Sequence, residues 1–267
     1  MTAQGTSRDE VAFLSSRPGE VVVPIIIGDT GPHRFLLDTG SSHSAVTQAV
    51  ADRLGLAPVA KVNLTTSVGS VWCAVIRLTD VAIGSTRVDE LLATALPRTG
   101  TDALGPDVDG VIGQDFLSRF NFTLDYGRSR LVWRDPSPAP AAVRLALEPA
   151  AGRLLVRLPQ EPSCDCGVRL VPDSGADGIV LFDPGATTRL PIDARGRGYD
   201  VTSLAGSGTA RAVTVKQLHV GQTVLRSLPA AVVRVDLGEP DRGDGLLPLH
   251  LFARVHFNNA EGFMWLE

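Results

Sequence analysis

The chain has 267 residues, enough apolar sequence for one large core or two modest ones, so length alone leaves the domain count open. A formal net charge of −4, with Lys61 and Lys216 the only lysines and no basic stripe, argues against a nucleic-acid partner. The longest strongly apolar stretch, Val21 to Ile27, contains Pro24 and is too short to span a bilayer; the N-terminus is polar, and three cysteines show no framework spacing, so a thiol-reduced, cytoplasmic protein without membrane attachment is expected.

Taken in order, the elements read mostly as strands. Residues 20–27 and 33–37 are β-branched or apolar runs separated by the turn signal Gly28-Asp29-Thr30-Gly31-Pro32. Ser44 is expected to cap a short helix, because Val46, Ala49, Val50 and Leu54 recur at helical spacing and Gly55 stands where a C-terminal cap belongs. Strands follow at roughly 61–67, 71–83 and 87–95, with a glycine-containing hairpin tip at Ser67-Val68-Gly69-Ser70. A second short helix is expected at Gln114 to Phe120, then a hairpin of Phe122–Tyr126 and Arg130–Trp133 turned by Gly127. The C-terminal half repeats this order except for its first helix, since Gly178 to Gly185 reads as strand and turn. The fold class is all-β with minor helix.

One stretch stands out. Phe35-Leu36-Leu37 runs as a buried strand straight into Asp38-Thr39-Gly40-Ser41-Ser42, and an unpaired carboxylate at such a place costs several kcal/mol or stays protonated. The same pattern of acid, hydroxyl and glycine ends the apolar run at Leu170-Val171-Pro172-Asp173-Ser174-Gly175-Ala176-Asp177. The acids are 173 − 38 = 135 residues apart, and the same offset carries Asp109-Gly110-Val111-Ile112 onto Asp244-Gly245-Leu246-Leu247. Gly69-Ser70 and Gly206-Ser207 correspond at almost that offset, and each half ends on a tryptophan strand, at Trp133 and Trp265. Between the halves lies Asp135-Pro136-Ser137-Pro138-Ala139-Pro140. The division is therefore an N-terminal lobe at 1–134, a proline-rich linker at 135–142 and a C-terminal lobe at 143–267.

The chemistry lies in the acid pair. Two carboxylates a few ångströms apart cannot both ionise, so one retains its proton while the other is charged, and together they can activate a water and protonate a leaving amide nitrogen. Gly40 and Gly175 let the backbone turn sharply beside each acid, and the hydroxyls of Thr39 and Ser174 can hydrogen-bond across the axis relating the halves. Ser41, at the third position after Asp38, is expected to donate its hydroxyl to that carboxylate; Ala176 offers nothing equivalent, so the charge should sit on Asp38 and the proton on Asp173.

Leu36-Leu37-Asp38-Thr39-Gly40 with Val111-Ile112-Gly113-Gln114-Asp115-Phe116-Leu117 resembles the aspartic peptidases, in particular their retropepsin-like branch, and Asp173-Ser174-Gly175-Ala176-Asp177 resembles the retroviral active-site string. The resemblance runs from about residue 20 to the end. It implies a two-lobed acid-protease fold built from two pseudo-twofold-related retropepsin-like β-barrel units, a monomer whose halves form an internal pseudo-dimer. It implies Asp38 and Asp173 as catalytic pair, supported by Thr39, Gly40, Ser41, Ser174 and Gly175. It further implies flaps tipped by Gly69, Ser70, Trp72, Gly206 and Ser207, with Ser42 and Asp177 contacting an extended peptide or protein substrate, and no cofactor. Two residues depart from the pattern. Pro172 has no N–H for a ladder bond, and Pro248 stands where Gly113 stands in the first half.

Other residues have plainer readings. Cys164 and Cys166 read as free thiols in a loop rather than a metal site, Asp109 and Asp244 as braces of a turn, and His43 as a residue lining the cleft. The leading functional expectation is an aspartic endopeptidase. The alternatives are a peptide-binding module that has drifted from catalysis, motivated by Pro172 and Pro248, and a non-hydrolytic enzyme using the acid pair for cyclisation or epimerisation.

Overall fold

The halves are tied together by a six-stranded sheet to which both contribute. In the computed structural model, which describes residues 9–66, 69–97, 104–105, 107–133, 139–160, 167–183, 185–193, 196–203, 206–234 and 241–267, its strand order is Glu10–Ala12, Arg130–Val132, Phe122–Asp125, Arg254–Asn258, Phe263–Leu266, Val143–Ala146. The central seam pairs Phe122 with Phe257, which are 135 residues apart, and their rings stack at 4.8 Å. Both rings are fully buried, so the joint between the halves is apolar core rather than a wet interface.

Above that sheet the same strand order occurs twice. In the first half it is Val22–Ile27, Thr30–Leu37, Gly110–Ile112, Ala45–Thr47, Thr86–Leu96, Gly69–Ile83, Pro58–Thr66, and Val22–Ile27 also pairs with Gly69–Ile83, which closes six of these strands into a barrel. In the second half it is Arg153–Leu158, Val168–Asp173, Gly245–Pro248, Ile179–Asp183, Thr223–Arg234, Gly206–Val220, with Gly198–Ser203 on the last strand. Parallel and antiparallel pairings match too: Phe35 lies opposite Gly110 as Leu170 lies opposite Gly245, both in parallel pairs. The central strands are buried on both faces, which is why Phe35-Leu36-Leu37 is a continuous apolar run rather than an alternating one.

The repeated Asp-Gly has a packing cause. A Cβ on Gly110 would lie 2.3 Å from the Ala45 carbonyl oxygen, and one on Gly245 would lie 2.1 Å from that of Val180, so each crossing admits only glycine. The preceding acids clamp neighbouring strands. Asp109 accepts from the Arg34 backbone N–H at 2.9 Å and pairs with Arg53, while Asp244 accepts from the Arg169 N–H at 2.8 Å and from Arg189 at 2.7 Å.

Several local expectations change. Ser44 caps no helix: Ala45–Thr47 is a strand, and Thr47 is the cap, accepting from the Val50 N–H ahead of the helix Gln48–Arg53. The sequence motif was right about the helix and Gly55, whose φ is +63°, but three residues early about the start. A first helix is present in the second half, at Gly185–Arg189, held by Ala186 and Leu190 packing into the core and by Thr187 donating to Asp183. Two threonines and a preceding Pro-Gly make it a poor helix by propensity, so tertiary packing supplies its stability. Where the first half has the helix Gln114–Leu117, the second has a 3₁₀ turn at Leu249–Leu251. Pro248 has no N–H to reproduce the bond that Gly113 donates to Ser44 Oγ.

Of the proline-rich stretch, residues 139–142 are described, and the Ala139 N–H is bonded to the Glu267 carboxylate at 2.9 Å. Among the described residues no helix is long and apolar enough to cross a membrane. Cys73 is buried and free, and Cys164 and Cys166 lie outside the described residues.

Candidate active site

Asp38 and Asp173 end the strands Thr30–Leu37 and Val168–Asp173, and the double repeat brings them together over the central sheet. Each carboxylate is received by its own loop. Asp38 Oδ1 accepts from the N–H groups of Gly40 at 2.9 Å and Ser41 at 3.0 Å; Asp173 Oδ1 accepts from those of Gly175 at 2.7 Å and Ala176 at 3.0 Å. The two acids act on each other electrostatically, and adjacent carboxyls do not both ionise, so one of them holds a proton.

The glycines answer to the opposite acid. A Cβ on Gly40 would lie 2.5 Å from the Asp173 carboxyl carbon, and one on Gly175 would lie 2.9 Å from that of Asp38. Each loop therefore needs glycine because the other loop's acid fills the space a side chain would take.

Beneath the acids, Thr39 and Ser174 interlock. The Thr39 N–H donates to Ser174 Oγ and the Ser174 N–H to Thr39 Oγ1, both at 3.0 Å. Each hydroxyl then donates across the axis to the carbonyl preceding the opposite acid: Thr39 to Pro172 O and Ser174 to Leu37 O, both at 2.7 Å. All four bonds are buried, where a lost partner costs about 1–3 kcal/mol. Pro172 cannot make the bond that the Leu37 N–H makes to Val21 O, yet its carbonyl serves this lock, and the strand still lies in register with Asp173 opposite Pro248.

Burial is the largest influence on both acids and raises both above the ordinary carboxylate range. Asp173 is raised well above it, because the charge on Asp38 adds to burial. At Asp38 the Gly40 N–H, the Asp173 carboxyl, the Ser41 N–H and the positive charge of Arg153 pull the other way. Burial and the neighbouring charge thus favour the proton on Asp173. The Ser41 hydroxyl, expected from the sequence to bond Asp38, donates instead to His43 O at 2.9 Å and leaves only its backbone N–H for Asp38.

A model of the aspartyl protease family matches residues 23–116 and again 164–250, together more than half of the chain and each match spanning one acid motif. The chain belongs to the aspartyl protease family. No curated protein matches it.

The first acid loop is also held by polar groups whose supporting roles the motif itself does not reveal. Gln114 Nε2 donates to Thr39 O at 2.7 Å and its N–H to Ser41 O at 2.9 Å. Asp115 accepts from the Ser44 N–H at 2.9 Å and from Ser44 Oγ at 2.6 Å; burial raises its pKa, and these bonds pull it back. Arg153 was also missed, since an arginine after Ala-Gly carries no signal of its own.

The remaining predicted residues divide between the acid loops and the two long hairpins. Ser42 is partly buried and bonds His43 Nδ1 at 2.9 Å, with His43 exposed; Asp177 is exposed and lies within electrostatic reach of His250. Gly69 and Ser70 pair with Thr66 and Thr65 near the end of one long hairpin, and Gly206 and Ser207 pair with Ser203 and Thr202 near the end of the other. Their strands, Gly69–Ile83 and Gly206–Val220, approach each other, while residues 67–68 and 204–205 lie outside the described set. Trp72 stands 71% exposed on the first hairpin.

Proposed function

We propose that the protein is an aspartic endopeptidase that hydrolyses an extended peptide with a water held between Asp38 and Asp173. The observation that carries this reading is the juxtaposition of two buried carboxyls, each fixed by two backbone amides of its own loop and each lying against the glycine of the other. The charged Asp38 takes a proton from the water as its oxygen attacks the scissile carbonyl, and protonated Asp173 gives its proton to the carbonyl oxygen. The tetrahedral diol then collapses as the leaving nitrogen takes up the proton held on Asp38, and a diol proton returns to Asp173. This regenerates the starting state.

The two long hairpins are proposed to close over the substrate as flaps, with Ser42 and Asp177 meeting its backbone on opposite sides of the acids. The single chain supplies both loops, so we propose a monomer acting as an internal pseudo-dimer. Pro172 and Pro248 give no ground for a drifted second lobe, because the amides around Asp173 and the hydroxyl lock are as complete as those around Asp38.

The test is digestion of a diverse peptide pool across pH by wild type and Asp38→Asn, alongside thermal melting with a statine-type transition-state mimic. Internal cleavage that vanishes in the variant, with a rise in Tm on adding the mimic, is the expected result. A pool left intact at every pH, or cut equally by the variant, removes the proposal.

A further inference from the structure

The ground on either side of the acids is built by the same repeat but carries different charges. Asp177 lies at 42 + 135 = 177, so Ser42 is its counterpart. On the Asp177 side the nearby basic group is His250, whose ring packs against Gly19 of the first half. On the Ser42 side a turn of the second half reaches across. The hairpin of Glu148–Ala150 and Arg153–Leu158 turns through Ala151 at φ 47° and Gly152 at φ 75°, and a Cβ on Gly152 would lie 3.1 Å from Ser42 Cβ. That contact seats the turn on the Asp38 loop, and Arg153 leaves from it.

Arg153 acts on the Asp38 charge through space but makes no direct ion pair among the described residues. It is partly buried, and its Nε is enclosed with no hydrogen-bond partner. The hairpin's own carboxylate, Glu148, is already engaged by Arg157 and Arg169, each at 3.3 Å. Ser42 supplies no charge where the other half has Asp177. An enclosed N–H is costly to leave unpaired, and a guanidinium fork is shaped to donate two parallel bonds to a carboxylate.

We infer that Arg153, with Ser42, forms a subsite for an acidic side chain, Asp or Glu, of the substrate segment lying on the Asp38 side of the cleft. The inference rests on the peptidase reading above. It adds to the influence of Arg153 on Asp38 a specificity role that separates acidic from neutral peptides.

The test compares cleavage of peptide pools that carry Asp or Glu, or the amides Asn or Gln, at each position around the scissile bond. Wild type should favour the acid over its amide at one position by about ten- to hundredfold in kcat/KM, the scale of a charge-assisted hydrogen bond. Arg153→Gln should bring that ratio close to one, and Arg153→Lys should keep part of it. Ser42→Asp, which keeps the arginine but gives it an internal partner, should also erase the ratio, and it answers the question if Arg153→Gln folds poorly. An acid preference that survives in Arg153→Gln, or an equal fall on acidic and neutral peptides, overturns the subsite. Cleavage by wild type without any acid preference removes the subsite alone, whereas no cleavage of any pool removes the peptidase reading and the subsite with it.

Discussion

The loop around Asp38 and the loop around Asp173 present the same face to each other and rest on different foundations. Above, the two are near copies: paired amides on each acid, a glycine under the opposite carboxyl, and hydroxyls crossed between them. Below, Gly113, Gln114, Asp115 and Ser44 form a polar network in the first half. At the same offset the second half has Pro248, Leu249, His250 and Ile179, and Leu249 and Ile179 are buried apolar residues. The geometry of the acid pair thus depends on backbone amides and the cross-axis lock. Either a hydrogen-bonded or an apolar support can hold a loop, even though each of these foundations keeps one buried polar atom without a hydrogen-bond partner, Gln114 Oε1 in the first and His250 Nδ1 in the second.

The sharpest way to break this equivalence is to neutralise each acid. Asp38→Asn and Asp173→Asn should each lower kcat by about four orders of magnitude or more, and the double variant should be no worse than either single one. Steady-state kinetics on a cleaved peptide decides it; substantial turnover by Asp173→Asn would make the halves unequal in the chemistry.

Next come the glycines. Gly40→Ala and Gly175→Ala should each cost about 1–3 kcal/mol in denaturant unfolding, as overpacking does. Gly40→Ala should cost more, because its approach to the opposite acid is 2.5 Å against 2.9 Å. The reverse order would show that the Asp38 loop yields more easily than the Asp173 loop.

The foundations can be separated by pH. Burial holds the Asp115 pKa above its unfolded value, so its contribution to stability is fullest below that unfolded value and is lost as pH rises through the folded one. Ser44→Ala removes the hydroxyl donor, leaves only the backbone N–H on the charged form, and pushes the pKa higher. Its destabilisation, about 1–3 kcal/mol at neutral pH, should therefore shrink in acid. A cost independent of pH would show that the Ser44 hydroxyl does not stabilise the Asp115 charge.

The hairpins should differ in KM. Trp72→Ala should raise KM several-fold without lowering Tm, since the side chain is 71% exposed, while Ser207→Ala should change neither. Equal effects would argue that the first hairpin is not the main lid.

The smallest effect is expected at Ser41 and Ala176. The Ser41 hydroxyl is committed to His43 O, so the pH–rate profiles of Ser41→Ala and Ala176→Ser should overlie that of wild type. Both acids are raised by burial, so activity should fall as pH rises through the pair's upper apparent pKa and the shared proton is lost. A displaced acidic limb in Ser41→Ala would restore that hydroxyl as a ligand of Asp38.

Much of the fold was legible because the repeat is written at matching spacings. Asp-Thr-Gly and Asp-Ser-Gly, the two Asp-Gly-aliphatic segments and the glycine-bearing hairpin ends all mark places where the backbone tolerates few residue types. Less was legible where packing outweighs propensity. The helix Gly185–Arg189 has weak local signals and forms because Ala186 and Leu190 find a core, and the strand Ala45–Thr47 displaces the expected cap at Ser44 because it pairs with Gly110–Ile112 and Thr86–Leu96.

The acids, glycines and hydroxyls of the site were present in two strings of four residues, because a carboxylate received by the amides two and three residues on is a local arrangement that short sequence can specify. Which side chain supports which charge was decided only in three dimensions. Ser41 stands in the right string but turns to His43 O, while Gln114 reaches Thr39 O across 75 residues, Asp115 reaches Ser44 across 71, and the Arg153 charge acts on Asp38 across 153 − 38 = 115. Electrostatic partnership depends on distance and burial, and neither is encoded in the spacing of residues that meet only when the two halves close on their common sheet.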